Sequence, residues 1–197
     1  MFENFKIYLI EKAGLTEEEF NQLSPTLQTK VVSKGDFLLK QGEICQHSFF
    51  VEKGLLRSYS IDLTGKEHII QFAPQNWFIS DRSSVYFNEP SDFFMEAIEE
   101  TSVVILNKNF ITLASEINPS FGQYNEVLLQ NHIRQLQKRV NQLLGASAEM
   151  RYLNFIQLYP DLTLRVPQWM IASYLGITPE SLSRVRKELA SKNFKSK

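Results

Sequence analysis

The chain has 197 residues, 21 Lys and Arg against 22 Asp and Glu, and 43% hydrophobic residues. That suits one large or two small cored domains, without the overall basic excess that marks a nucleic-acid partner. No apolar run approaches the roughly 20 residues that span a bilayer, so no membrane partner is expected. One cysteine, Cys45, excludes an internal disulfide, suits a reducing cytoplasm and cannot supply the four thiolates typical of an iron–sulfur cluster.

The start, MFENFKIYLIEKAG, is acidic and amphipathic and lacks the basic flank and cleavage site of a signal peptide. Residues 1 to about 25 read as helical, with Phe5, Leu9 and Ile10 on one face and a helix start at Thr16 followed by Glu17, Glu18 and Glu19. From about Lys30, short runs rich in Val, Ile, Phe and Tyr alternate with Gly35, Gly42, Gly54 and Gly65. That spacing predicts a small barrel or sandwich of antiparallel strands, with a hairpin loop at Asp62 to Lys66 and a closing strand at Val103 to Leu106. Trp77, Phe78, Tyr86, Phe87, Phe93 and Phe94 concentrate in one region. With Asp81, Arg82, Ser91 and Asp92 as polar groups, they form either a ligand pocket or plain packing for the strands; the pocket candidates are Trp77, Asp81, Arg82, Tyr86, Ser91, Asp92 and Phe93.

Helix returns near Asn107. Pro119 opens the longest periodic segment, running to Leu144, about 39 Å as a helix. Leu129, Leu136 and Leu143 repeat every seven residues, and Ile133 and Val140 repeat at an offset of four. β-Branched residues at a with leucine at d favour a parallel two-stranded coiled coil, so these five residues are the candidate homodimer interface. Gln135, Lys138, Arg139, Asn141 and Gln142 wet its flanks. Gly145-Ala146-Ser147 interrupts the pattern and divides a domain of residues 1–145 from one of residues 146–197. A helix over about Ala148–Leu158 and a break at Tyr159-Pro160 follow.

The stretch QWMIASYLGITPESLSRVRK, Gln168 to Lys187, then places two helical patterns against one tight corner. Ile171, Leu175, Ile177, Leu182 and Val185 line an interior, and Ala172 leaves room for a close crossing. Gly176 supplies the positive φ of the corner, and Thr178 and Pro179 read as N-cap and first helical residue. This is the helix-turn-helix pattern, whose second helix enters the major groove of double-stranded DNA. Leu182, Val185 and Leu189 fall on one face of that helix, and Glu180, Arg184 and Lys187 on the opposite face, with Ser181 and Ser183 at the edges. Arg184 can present a bidentate fork to guanine, and Glu180 can accept from cytosine. Arg186 and Lys187, with Arg165 and Gln168, are placed for phosphates. From Thr178 to Lys197 six basic residues face two acidic ones, a net of +4, whereas the first twenty residues carry a net of −3. Such asymmetry fits a DNA-facing end.

In order, then, the chain offers an N-terminal helix, a glycine-punctuated roll, a long dimer helix and a helix-turn-helix. It resembles the cyclic-AMP receptor protein, or Crp/Fnr, family of bacterial transcription regulators over nearly its whole length. The strongest part is IASYLGITPESLSRVRKEL, where Glu180 and Arg184 fall on the family's base-reading positions and Pro179 on a third; Lys40-Gln41-Gly42-Glu43 and FFVEKGLLRSY match the roll. The resemblance implies an α+β fold: a jelly-roll-like, cyclic-nucleotide-binding-type β-roll with flanking helices, a long dimerisation helix and a winged-helix-like helix-turn-helix domain. It also implies a cytoplasmic, homodimeric, DNA-binding regulator that is not an enzyme and needs no cofactor, with RNA polymerase as a candidate partner. A glycine-glutamate pair and a later arginine with Ser or Thr hold the cyclic phosphate in the family's nucleotide-binding members. Ser80-Asp81 and Ser91-Asp92 stand at those positions here. Asp92 is expected to bring like charges together in a poorly solvated pocket, so the effector is an unknown small molecule other than cyclic AMP. The alternatives are a ligand-binding or protein-interaction module without DNA binding, and a cupin-like metal enzyme. His47, His68 and His132 lack paired metal-ligand spacing, and no glycine-rich phosphate loop or nucleophile elbow occurs.

Overall fold

The computed structural model describes residues 2–195, with side chains as far as Lys192. The chain folds into two compact units, residues 1–66 with 70–131, and residues 67–69 with 132–197.

The first unit opens with two helices, α1 (Glu3–Ala13) and α2 (Glu17–Leu23), the second starting after Thr16, where the sequence placed a helix start. Gly14 ends α1 in the left-handed region, and Thr16 restarts the helix through a capping box with Glu19. Eight strands follow: β1 (Gln28–Val32), β2 (Phe37–Leu39), β3 (His47–Lys53), β4 (Leu55–Ile61), β5 (Glu67–Pro74), β6 (Phe78–Ile79), β7 (Phe94–Ala97) and β8 (Thr101–Asn107). They make two four-stranded sheets, in the orders β1-β8-β3-β6 and β2-β7-β4-β5. A short helix, α3 (Arg82–Phe87), lies between β6 and β7.

Alternation along β3 and β8 sends their central apolar residues into two different cores. Phe49, Val51 and Val103 enter the core between the sheets with Leu56, Met95 and Ala97. Phe50, Val104 and Leu106 point the other way, into a second core with Phe5, Leu9, Phe20, Phe110 and Phe121 from the helices. A strand buried on both faces has no polar face to show. The second core includes α4 (Phe110–Ile117) and the beginning of α5 (Pro119–Gly145). There Tyr124 donates to or accepts from Tyr8 at 2.6 Å between hydroxyl oxygens. Glu52 is buried and fastens α1 to this sheet, its carboxylate accepting from the backbone N–H groups of Asn4 (2.6 Å) and Phe5 (3.0 Å). This places an anion on the positive end of the helix. Between β3 and β4, Gly54 has φ +104°, and a Cβ there would lie 2.5 Å from Thr101 Oγ1 and 2.7 Å from the Glu100 carbonyl. Only glycine fits this turn.

The second unit contains the later turns of α5 and four further helices: α6 (Ala148–Leu158), α7 (Leu162–Arg165), α8 (Gln168–Leu175) and α9 (Pro179–Lys195). Its core is Tyr152, Phe155, Tyr159, Leu162, Ile171, Ala172, Leu175, Leu182 and Val185, all buried. Phe155, Tyr159 and Tyr174 pack as a triangle of rings with centroids 5.3 to 5.8 Å apart.

Candidate nucleic-acid interface

The corner between α8 and α9 is built as a tight turn demands. Gly176 takes φ +65°, its N–H donating to the Ser173 carbonyl at 3.1 Å, and the Ile177 N–H donates to the Ala172 carbonyl at 3.0 Å. A Cβ at Gly176 would meet Leu143 Cδ2 at 3.2 Å. Thr178 Oγ1 then accepts from the Ser181 N–H at 3.2 Å, and Pro179 occupies the first turn, where its missing donor costs nothing.

Capping fixes the rotation of α9. Leu182 is fully buried and Val185 nearly so, both facing the core of the unit. Thr178, Pro179, Glu180, Ser183, Arg184 and Lys187 are exposed, and Ser181 and Arg186 are half-buried at the edges. Hydrogen bonds from its own backbone N–H and from Thr178 hold the Glu180 carboxyl below the usual carboxylate range. Glu180 is therefore an acceptor at neutral pH, as contact with a cytosine amino group requires. Gln168, exposed at the start of α8, lies in the same motif.

The surrounding cations divide. Lys192 Nζ is 2.9 Å from Glu149 Oε1, and that carboxylate raises its pKa. Arg165 Nη1 is 2.5 Å from Asp161 Oδ2. Arg165 was expected to face phosphate and Lys192 was counted in the basic tail; both have carboxylate partners within the protein. The side chain of Lys195 and the whole of Lys197 lie outside the described residues. Arg139, read as a wet flank of the heptad, is half-buried instead. Its guanidinium lies 3.9 Å from the centre of the Tyr174 ring and donates to the Tyr174 carbonyl at 3.3 Å. Arg151 donates to the Leu175 carbonyl at 2.8 Å. Sequence reading missed both arginines. The signal was there in α8, whose last turn carries no basic residue to answer its own carbonyls.

The five heptad residues lie along α5 with Leu129 half-buried and Ile133 41%, Leu136 47%, Val140 56% and Leu143 39% exposed. This is an apolar stripe standing in water on a single chain.

The roll corrects two expectations. Asp92 is exposed rather than held in a poorly solvated pocket, because the chain turns it outward before β7; the buried carboxylate is Asp81. Asp81 Oδ1 accepts from the Ser84 N–H at 3.3 Å, capping α3, and Oδ2 accepts from Ser91 Oγ at 2.5 Å. Ser91 is tied in turn to the β2–β3 loop through Gly42 and Glu43. The aromatic residues do not converge on one pocket either. Trp77 packs on the core between the sheets, and Phe78 joins the helical core. Phe94 stacks on Tyr59 at 5.1 Å, on the opposite face of β7 from Met95. Tyr86 and Phe87 are exposed, with the exposed Arg82 stacked 4.8 Å from the Tyr86 ring, while Phe93 is half-buried. Of the residues expected to gather around a ligand, only Asp81 and Ser91 are brought together as a buried bonded pair. At the positions that would face a cyclic phosphate the buried charge is negative, which does not fit that group.

Comparison with known proteins agrees with this arrangement. The cyclic nucleotide-binding domain family matches residues 29–114. An anaerobic regulatory protein from Pasteurella multocida is 26% identical over 183 residues, covering 87% of this chain and 66% of that protein. The fumarate and nitrate reduction regulatory protein of Vibrio cholerae is 25% identical, covering 87% and 72%. The chain thus spans about two thirds of the length of the curated relatives it matches. Among solved structures, FixK2 from Bradyrhizobium japonicum superposes with a TM-score of 0.69 at 22% identity, over 85% of this chain and 86% of that one. With a roll, a long helix bearing an apolar stripe and a capped helix-turn-helix in that order, the chain is similar in sequence and fold to these regulators and carries a cyclic nucleotide-binding-type domain over residues 29–114.

Proposed function

We propose that the protein is a sequence-specific DNA-binding transcription regulator that acts as a homodimer and does not answer to cyclic AMP. The observation that carries this reading is the rotation of α9, with Leu182 and Val185 buried beneath it and Glu180 and Arg184 exposed above. Arg184 reads a base, Glu180 accepts from a neighbouring one, and Ser181, Ser183, Arg186, Lys187 and Gln168 set register on the phosphates. Two copies pair along the stripe of Leu129, Ile133, Leu136, Val140 and Leu143, presenting two α9 helices to major grooves about 34 Å apart. No helix among the described residues is long and apolar enough to cross a membrane, which is consistent with a cytoplasmic regulator. RNA polymerase is the partner such a regulator would meet on DNA.

The test is Arg184→Ala in a gel-shift titration against a selected duplex and a scrambled one. Specific affinity should fall by about 1–3 kcal/mol while weak, salt-sensitive binding to both duplexes persists. Full discrimination by the variant would sink the recognition assignment.

A further inference from the structure

The last turn of α8 is held by groups that base reading does not use. A helix leaves its final carbonyls without partners of its own. In α8 those of Tyr174 and Leu175 accept from Arg139 and Arg151, cations placed where the helix dipole is negative. A second set of contacts meets the first. Ser173 Oγ accepts from the Ile69 N–H at 3.0 Å and donates to the Glu67 carbonyl at 2.9 Å. The Ile69 carbonyl accepts from Arg139 Nη2 at 3.0 Å. Ser173 and Arg139 thus answer three backbone groups of the segment Glu67–Ile69. Glu67–Ile69, Ser173, Tyr174 and Arg139 close a hydrogen-bonded ring inside one compact unit.

We propose that this ring is a joint that sets the attitude of the recognition helix, with Ser173 and Arg139 as positioning residues for DNA binding. α8 packs directly on α9, so a helix fixed at its carbonyl end fixes the exposed face that carries Glu180 and Arg184. Arg139 belongs to the same helix as the heptad stripe, so the joint ties α9 to the element proposed to pair two copies. Pre-ordering a recognition element in its bound attitude raises affinity without adding a contact to the ligand. The proposal rests on the DNA-binding reading of α9.

The experiment measures binding of the full chain to the tightest duplex from a random-sequence selection, and to a scrambled duplex, over a range of salt concentrations. Ser173→Ala removes two hydrogen bonds and should weaken selected binding about tenfold. Scrambled-duplex affinity and the slope of log Kd against log salt should stay unchanged, since no phosphate contact is lost. Ser173→Thr, which keeps the hydroxyl, should restore most of the affinity. Arg139→Lys keeps the charge but loses the planar fork, and should weaken selected binding in the same way even if Ser173→Ala folds poorly. Unchanged or tighter selected binding in both variants overturns the joint while leaving the DNA reading intact. So does a salt slope reduced by about one, which would make the residue a phosphate contact. A wild-type chain that selects no duplex overturns the DNA reading and the joint together.

Discussion

Single residues carry conformational information that the sequence exposes unevenly. Gly176 was legible, because a turn between two apolar patterns needs a positive φ and glycine supplies it. Its observed φ is +65°, with Leu143 and Arg151 close by. Gly176→Ala should therefore cost about 1–2 kcal/mol from the left-handed backbone alone. A drop of several degrees in the thermal midpoint, read by circular dichroism, checks this. Cys45 was expected to be quiet, and its burial gives the reason. Desolvation pushes the thiol up from its ordinary range, more than the hydrogen bond to the His47 carbonyl lowers it. The folded state therefore prefers the neutral thiol. Its contribution to stability is present below the unfolded pKa and is lost as pH rises past it. A thiol-specific reagent at pH 7 should label the native chain at least about tenfold more slowly than the chain in denaturant, where one thiol per chain reacts. Equal rates would place the sulfur in solvent. Arg139 and Glu52 were not legible, because charged side chains read as solvated until their partners are known, and those partners are backbone groups far along the chain.

Elements were more legible than residues where a period repeats. The 3.6-residue pattern placed α5, α6, α8 and α9 within a few residues of where they stand, and Thr16, Pro119 and Thr178 marked true starts. The end of α1 at Gly14 was not read separately, because Leu15 in the break is buried and continues the apolar pattern. The stripe on α5 carries a prediction at this scale. Ile133, Leu136, Val140 and Leu143 are each 39–56% exposed on one chain, and four such side chains along one helix face stay wet only if no second copy covers them. Leu136→Lys sets an ammonium in the centre of the proposed seam and meets its own copy there. Self-association should weaken on the order of a hundredfold or more. Light scattering on the eluting protein should show monomer mass, with α5 still helical because lysine is a good helix former. A dimer of unchanged strength would move the interface off this stripe.

At the scale of the whole molecule, the order of elements carried the resemblance to known regulators, while the carboxylate expected in the pocket of the roll is not the one that is buried there. Register along a chain says which residues stand at a position, not which way each side chain turns. Asp92 points to solvent, and Asp81 is buried. The consequence for effector choice is still repulsion, for a different reason. Asp81 spends both oxygens within the fold, one on the Ser84 N–H that begins α3 and one on the Ser91 hydroxyl. A protein carboxylate thus takes up hydrogen-bond donors that a phosphodiester would need. Bringing a second negative charge within about 4 Å of it would cost about 4 kcal/mol at an effective dielectric near 20, a loss of roughly a thousandfold in affinity. Cyclic AMP at about 1 mM should therefore leave the thermal midpoint where it was, since a ligand well below its Kd adds no stability. DNA affinity measured with and without the nucleotide should be the same. A saturable shift in either quantity would mean that Asp81 gives way, by releasing Ser91, and that the roll still binds the nucleotide.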